Sequence, residues 1–253
     1  MNFDSVIAFG GSTVGGLELG PVKGSTYHEL AFPQLVADYF KVPCYNYSWP
    51  GASNDRTSRL LPEKVLAHPN SLVLISWVDF SRSEFFYPHC NSVVPADPSG
   101  YIQLGINLSE FLPKGSSHFV TETNDFFYKN IFWDPNHHNN YRHYNSLLQA
   151  QLICEKFSNC YIQIFELPNI IPEYSNNQRV ILENIDFDHV LKFSLQDQWY
   201  TVEGWNRGYG NFYDWSRFNQ LPFGKYHVLH ESHRALANLI IDHIKNENIT
   251  GRG

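Results

Sequence analysis

Short apolar runs alternate along this chain with segments of helical periodicity. Residues 4–9, "DSVIAF", are bounded by Gly10 and Gly11 and predict a short buried strand. "YHELAFPQLVADYF" (27–40) spaces Leu30, Leu35, Val36, Tyr39 and Phe40 for one helix face, with Pro33 marking the start. "CYNYS" (44–48) predicts a second strand, ended by "WPGASND", and a helix follows through Arg59 to Ala67 with Pro62 as a kink or restart. "SLVLISW" (71–77) is the most apolar run, as a central parallel strand buried on both faces should be. "YRHYNSLLQAQLICEKF" (141–157) gathers Leu147, Leu148, Ile153, Cys154 and Phe157 on one helical face, and "CYIQIFEL" (160–167) is a fourth strand. The last amphipathic helix, "ESHRALANLIIDHIKN", begins at Glu231 or a residue or two later. Two stretches, about 85–140 and 168–225, are turn-rich and poorly periodic, and read as loop-rich insertions in one domain spanning 1–253.

Strands alternating with helices predict an α/β fold, a three-layer α/β/α sandwich around a mostly parallel, flavodoxin-like sheet. Such sheets bind ligands beyond the carboxyl ends of their strands. Three segments leave those ends: "GGSTVGG" (10–16), "WPGASNDR" (49–56) and "VDFSRSE" (78–84).

A net charge of −7, with no cluster of Lys or Arg, argues against a nucleic-acid partner. The N-terminus "MNFDSVIAFGG" has no basic region and too short an apolar run for a signal peptide, and no run has the length of a membrane span. Cys44, Cys90, Cys154 and Cys160 show no CxxC spacing and read as reduced thiols, so the expected location is the cytoplasm, with signal-independent or phage-associated export as the other route. Aromatics at 16% fit either a Phe/Tyr-heavy core or a groove that stacks on sugars, the latter suggested by "WYTVEGWNRGYGNFYDW" (199–215).

A serine between glycines just after a strand holds a phosphate, makes a tight corner, or exposes a nucleophile. The phosphate reading fails: the first lysine is Lys23, too late for a Walker loop, and GxGxxG spacing is absent. The GxSxG elbow fails too, because Val14 fills its last glycine position. A structural corner and an exposed nucleophile remain.

"AFGGSTVGG" (8–16) resembles the first block of the SGNH/GDSL hydrolase superfamily, where a strand ends in Phe-Gly-Asp-Ser. "NYSWPGASNDR" (46–56) is similar to its second block and "HVLHESHRALA" (227–237) to its last. "PGASNDR" with "SWVDFSRSE" resembles a phage and environmental branch of that superfamily. The resemblance implies Ser12 as nucleophile, a histidine before the C-terminal helix as base, and the N–H groups of Ser12 and Gly51 as oxyanion donors. It also has departures. Gly11 stands where the first block has Asp, and Val78 where the third block has an Asn donor. Asn54 is then either the replacement donor or a helix N-cap. Counting back from His233 and Ala237 gives His227 as the base, whereas His230 is the other frame; position 224 is Gly where an acid is expected. Asp214 or a backbone carbonyl is the candidate to orient the imidazole. Asp79, Arg82 and Glu84 read as ion-pair partners or substrate contacts.

The implied activity is a serine esterase, with an O-acetylated carbohydrate or a small acyl ester as substrate and no cofactor. His137, His138 and His143 lack the i,i+3 or i,i+4 partners of a metal site, so no metal is expected. The alternative is a non-catalytic SGNH-fold binding or virion-associated surface protein; an acyl or phosphoryl transferase using the same serine is a third reading.

Overall fold

The computed structural model describes residues 3–22, 25–78, 82–86, 101–104, 138–157, 160–166, 176–193 and 211–246. Its centre is a four-stranded, all-parallel sheet. The strands are β1 (Ser5–Phe9), β2 (Cys44–Asn46), β3 (Ser71–Trp77) and, after the hairpin named below, β6 (Cys160–Phe165), in the order β2-β1-β3-β6. Every residue of β3 is buried, as a strand with neighbours on both edges and helices on both faces requires. Val190 pairs in parallel with Gln163 and extends the sheet by one bridge beyond β6.

Alternation along the strands sends side chains to two cores. On one face Val6, Ala8, Leu72, Leu74, Ile162 and Ile164 meet helix α1 (Phe32–Phe40) and the C-terminal helix α6 (His230–Asn246). On the other, Ile7, Phe9, Val73, Ile75 and Trp77 meet α2 (Asn54–Ala67), α3 (His138–Lys156) and α4 (Asn176–Glu183). At about 1.5–3 kcal/mol for each large aliphatic buried, these layers dominate the stabilisation. The outcome is the expected α/β/α sandwich, and Phe9, Phe32, Trp77, Tyr161, Phe193 and Phe212 are among its largest fully buried side chains.

Pro33 stands at the start of α1, where its missing N–H costs no intrahelical bond. His233, on α6, reaches across the core to accept a 3.1 Å hydrogen bond from the Phe32 N–H and stacks on the Phe32 ring. Burial lowers its pKa to about 3, with His230 and His227 adding to the lowering, so the ring is a neutral cap.

Pro62 does not restart its helix: α2 runs from Asn54 through Ala67 with Pro62 inside it and Ser53 as N-cap. The two turn-rich regions hold short elements among their described residues. The region 168–225 contains α4, a 3-10 turn (Phe187–His189) and α5 (Phe212–Phe218), all too short for periodicity to stand out. The region 85–140 contributes one strand of an antiparallel hairpin, β4 (Ser83–Phe86) with β5 (Tyr101–Leu104), and the first turn of α3. Asp79, Cys90, His137 and the aromatic run 199–210 lie outside the described residues.

Candidate active site

The sheet order makes the chain leave β1 towards one side and β3 towards the other, the topology whose ligands bind beyond the carboxyl ends of the strands. Ser12 lies on the turn that leaves β1. Gly10 adopts φ 151°, and a Cβ there would meet Val14 Cγ2 at 2.5 Å, so only glycine admits this turn. The turn is held by Gly15 N–H to Gly11 O (3.2 Å) and Leu17 N–H to Ser12 O (3.0 Å). The neighbouring segment is laced to it: Asn46 Nδ2 donates to Val14 O at 2.7 Å, and Trp49 N–H to Gly10 O at 3.1 Å. Arg56 fixes that segment from α2 by donating to Tyr47 O at 2.5 Å. Between Trp49 and α2, Gly51 takes φ 76° with open space where a Cβ would stand.

The far end of the chain closes the site. A tight turn, bridged by Phe223 and Val228 and by Gly224 N–H to His227 O (2.8 Å), presents His227. Its Nε2 lies 2.7 Å from Ser12 Oγ, and both residues are only 8% exposed. Of the two histidine frames, the structure brings His227 to the serine; His230 is an exposed residue opening α6.

Behind His227 stands a carboxylate that sequence reasoning missed. Glu18 Oε1 is 3.7 Å from His227 Nδ1, an ion-pair distance, and Nδ1 is buried without a hydrogen bond. Glu18 Oε2 accepts the Tyr226 N–H (3.2 Å) and the His227 N–H (3.3 Å). Position 224 explains why no acid stands there: a Cβ on Gly224 would lie 2.2 Å from Glu18 Oε2. The carboxylate arrives from the first turn of the chain and fills that space. Asp214 is committed elsewhere, to Asn211 Nδ2 (2.8 Å) and Arg217 (3.2 Å). Burial pulls the His227 pKa below the ordinary histidine value; Glu18 opposes this and Arg82 adds to it. The imidazole is therefore neutral at pH 7 and able to take a proton from the hydroxyl.

Asn54 is used differently from either expectation. Ser53 is the cap of α2. The Asn54 amide clamps the end of β3, accepting the Val78 N–H (3.0 Å) and donating to Val78 O (3.1 Å), while its Nδ2 also meets His143 Nδ1 at 3.1 Å. One amide hydrogen is committed to Val78 O, and the other faces His143 Nδ1, which accepts it in the Nε2–H tautomer, so the donor role expected of Asn54 competes with both contacts. Glu84 forms a two-pronged pair with Arg59 at 2.7 and 3.0 Å, the structural reading for that residue. Arg82 lines a small polar cleft with Asn54, Asp55, Arg142, His143 and Ser146.

A second carboxylate lies under the serine turn. Glu166, just past β6, accepts hydrogen bonds from Thr13 Oγ1 and, at 3.2 Å, from Ser76 Oγ; Tyr213 OH is 2.9 Å from Thr13 Oγ1. Burial raises the Glu166 pKa, against which the Thr13 hydroxyl, the Arg82 charge and the Ser76 hydroxyl act. A charged residue near the end of the apolar run "CYIQIFEL" was the signal available for it.

The chain is similar to solved esterases. These include the psychrotrophic esterase EstA from Pseudoalteromonas sp., at 13% identity and TM-score 0.47 over 97% of this chain and 98% of that one. A member of the lipolytic G-D-S-L family from Veillonella parvula aligns at 11% identity and TM-score 0.45 over 96% of this chain and 98% of that one. A carbohydrate esterase aligns at 12% identity and TM-score 0.42, over 96% of this chain and 68% of that one. No protein-family model matches the sequence, and no curated protein sequence does.

Among the described residues no three His, Cys, Asp or Glu side chains are grouped to hold a metal, and no helix is long and apolar enough to cross a membrane. Cys44, Cys154 and Cys160 are thiols whose burial raises their pKa, to about 12 for Cys44 and Cys160, so none is a thiolate near neutral pH.

Proposed function

We propose that the protein is a serine esterase of the SGNH type, acting on a small acyl ester or an O-acetylated carbohydrate. The observation that carries this reading is the 2.7 Å contact between Ser12 Oγ and His227 Nε2, made across 215 residues of sequence. In the first half-reaction Oγ forms a bond to the ester carbonyl carbon while its proton passes to Nε2. The carbonyl oxygen becomes an oxyanion, with the N–H groups of Ser12 and Gly51 as its donors. Collapse breaks the bond to the alcohol, which leaves with the proton from His227. In the second, water gives its proton to His227 and its oxygen to the acyl carbon, and Ser12 recovers its hydrogen as the acid departs. Glu18 supports this cycle from Nδ1 by holding the ring and offsetting the positive charge of the imidazolium. The 3.7 Å gap is one that a catalytic contact can close when the ring charges.

The test is a fluorophosphonate probe applied to the wild type and to Ser12→Ala, with hydrolysis of p-nitrophenyl acetate and release of acetate from acetylated glycans measured alongside. Labelling of the wild type alone, and loss of turnover in His227→Ala but not His230→Ala, is the expected result. A wild type that neither labels nor hydrolyses any ester would leave a non-catalytic binding protein and end the esterase reading.

A further inference from the structure

We infer that Glu166 is a positioning residue for the nucleophile, locking the turn that carries Ser12 through the hydroxyl of Thr13. The inference rests on the reading of Ser12 as nucleophile and adds to it a device outside the Ser12–His227–Glu18 line.

The need for such a device follows from the turn itself. Ser12 sits between Gly10, at φ 151°, and Gly16, at φ 70°; backbone hydrogen bonds hold the turn, and the glycines themselves add no side chain to anchor it. A nucleophile displaced by about 1 Å loses on the order of a hundredfold in rate, so a side-chain anchor beside Ser12 adds to the hold of the backbone bonds. Thr13 is the residue bonded to Ser12, and its side chain, 1% exposed, is turned inwards onto Glu166. Its single hydroxyl hydrogen goes to the carboxylate, so the 2.9 Å contact with Tyr213 has the tyrosine O–H as donor. The result is a directed chain: Tyr213 donates to Thr13, Thr13 to Glu166 Oε1, and Ser76 from β3 to Glu166 Oε2.

The Glu166 backbone is fixed at the same point. Its N–H donates to Trp77 O at 3.0 Å, and its carbonyl accepts the Tyr213 N–H at 3.2 Å. One residue therefore ties the ends of β1, β3 and β6 and the start of α5 beneath the serine. Position 11 cannot supply an acid instead, because a Cβ there would lie 2.9 Å from Val78 Cγ1 and 4.0 Å from Glu166 Oε2. A fully buried carboxylate costs several kcal/mol of desolvation, and stability alone is served as well by an apolar side chain of that size. Its position under the nucleophile is what gives it a use.

The test uses two variants of matching size that remove the hydrogen bond, Glu166→Met and Thr13→Val, with Thr13→Ser as the rescue. In each of the first two we expect kcat and the second-order rate of fluorophosphonate labelling to fall about 10- to 100-fold while KM stays within about twofold. The double variant should lose no more than the worse single one, since both cut the same link. Thr13→Ser should restore the wild-type labelling rate. Wild-type labelling rates in both variants, measured well below their thermal midpoints, would overturn the inference even if the midpoints had dropped. Should Glu166→Met not fold, Thr13→Val decides by the same criterion. A wild type that fails to label at all sinks the serine reading itself, which is a different result from labelling that is insensitive to Thr13 and Glu166.

Discussion

The relocated acid gives the sharpest prediction. Glu18→Gln keeps the shape and the oxygen that accepts the Tyr226 and His227 N–H groups but removes the charge facing His227 Nδ1 at 3.7 Å. Two unit charges at that separation interact by about 4 kcal/mol at an effective dielectric of 20 and about 2 kcal/mol at twice that value. The lower figure is a discount for Glu18, whose side chain is 22% exposed. Because the charge on His227 exists only during turnover, the loss falls on kcat, by roughly 30- to 1000-fold, with KM little changed. The swap is more demanding. Gly224→Asp alone forces a side chain to within 2.2 Å of Glu18 Oε2 and should be inactive or unstable. Combined with Glu18→Ala it has that space to itself, with Leu229 Cδ2 at 3.2 Å the remaining close contact, and should recover at least tenfold over Glu18→Ala. Steady-state hydrolysis of p-nitrophenyl acetate by the four variants reads both effects. Wild-type kcat in Glu18→Gln would refute the argument, because a structural carboxylate can lose its charge without slowing the chemistry.

Three further outcomes follow from the same geometry. Burial lowers the His227 pKa below 6.5, so kcat/KM should be flat above that value and fall only on acidification through a lower pKa; a midpoint above 7 in the pH profile would contradict this. His233, with a folded pKa of about 3 against about 6.5 unfolded, favours the native state above pH 6.5 and loses that contribution as the unfolded chain protonates. Urea unfolding should accordingly show about 2 kcal/mol lost from this group between pH 7.5 and 5, a loss absent in His233→Asn; equal losses in both proteins would refute it. Asn54→Ala leaves the Val78 N–H and C=O unsatisfied at a site 1% exposed and should cost about 2–4 kcal/mol in denaturant unfolding, with Ser12 labelling below the midpoint reduced less than tenfold. A hundredfold loss of labelling at unchanged stability would return Asn54 to the oxyanion hole.

The sequence by itself determined the four sheet strands, the helices with wide apolar faces, and the two ends of the chain that meet. A parallel strand covered on both faces must be apolar throughout, so "SLVLISW" and "DSVIAF" declare themselves within a few residues. Ser12 and His227 were readable because each lies at the edge of such an element, after a strand or before a helix. Tertiary structure alone decided the partners. Glu18 and His227 are 209 residues apart, and Thr13 and Glu166 are 153 apart. Each pair meets because the order β2-β1-β3-β6 gathers loops from distant parts of the chain at one sheet end. Local spacing pointed towards Asp214 and towards a free Asn54 amide, since it carries no information about which buried group already has a partner. Hydrogen bonds and charges act over a few ångströms in space, whereas a motif records distance along the chain. That difference is why a carboxylate six residues after Ser12 can stand beside His227, where one three residues before it was expected.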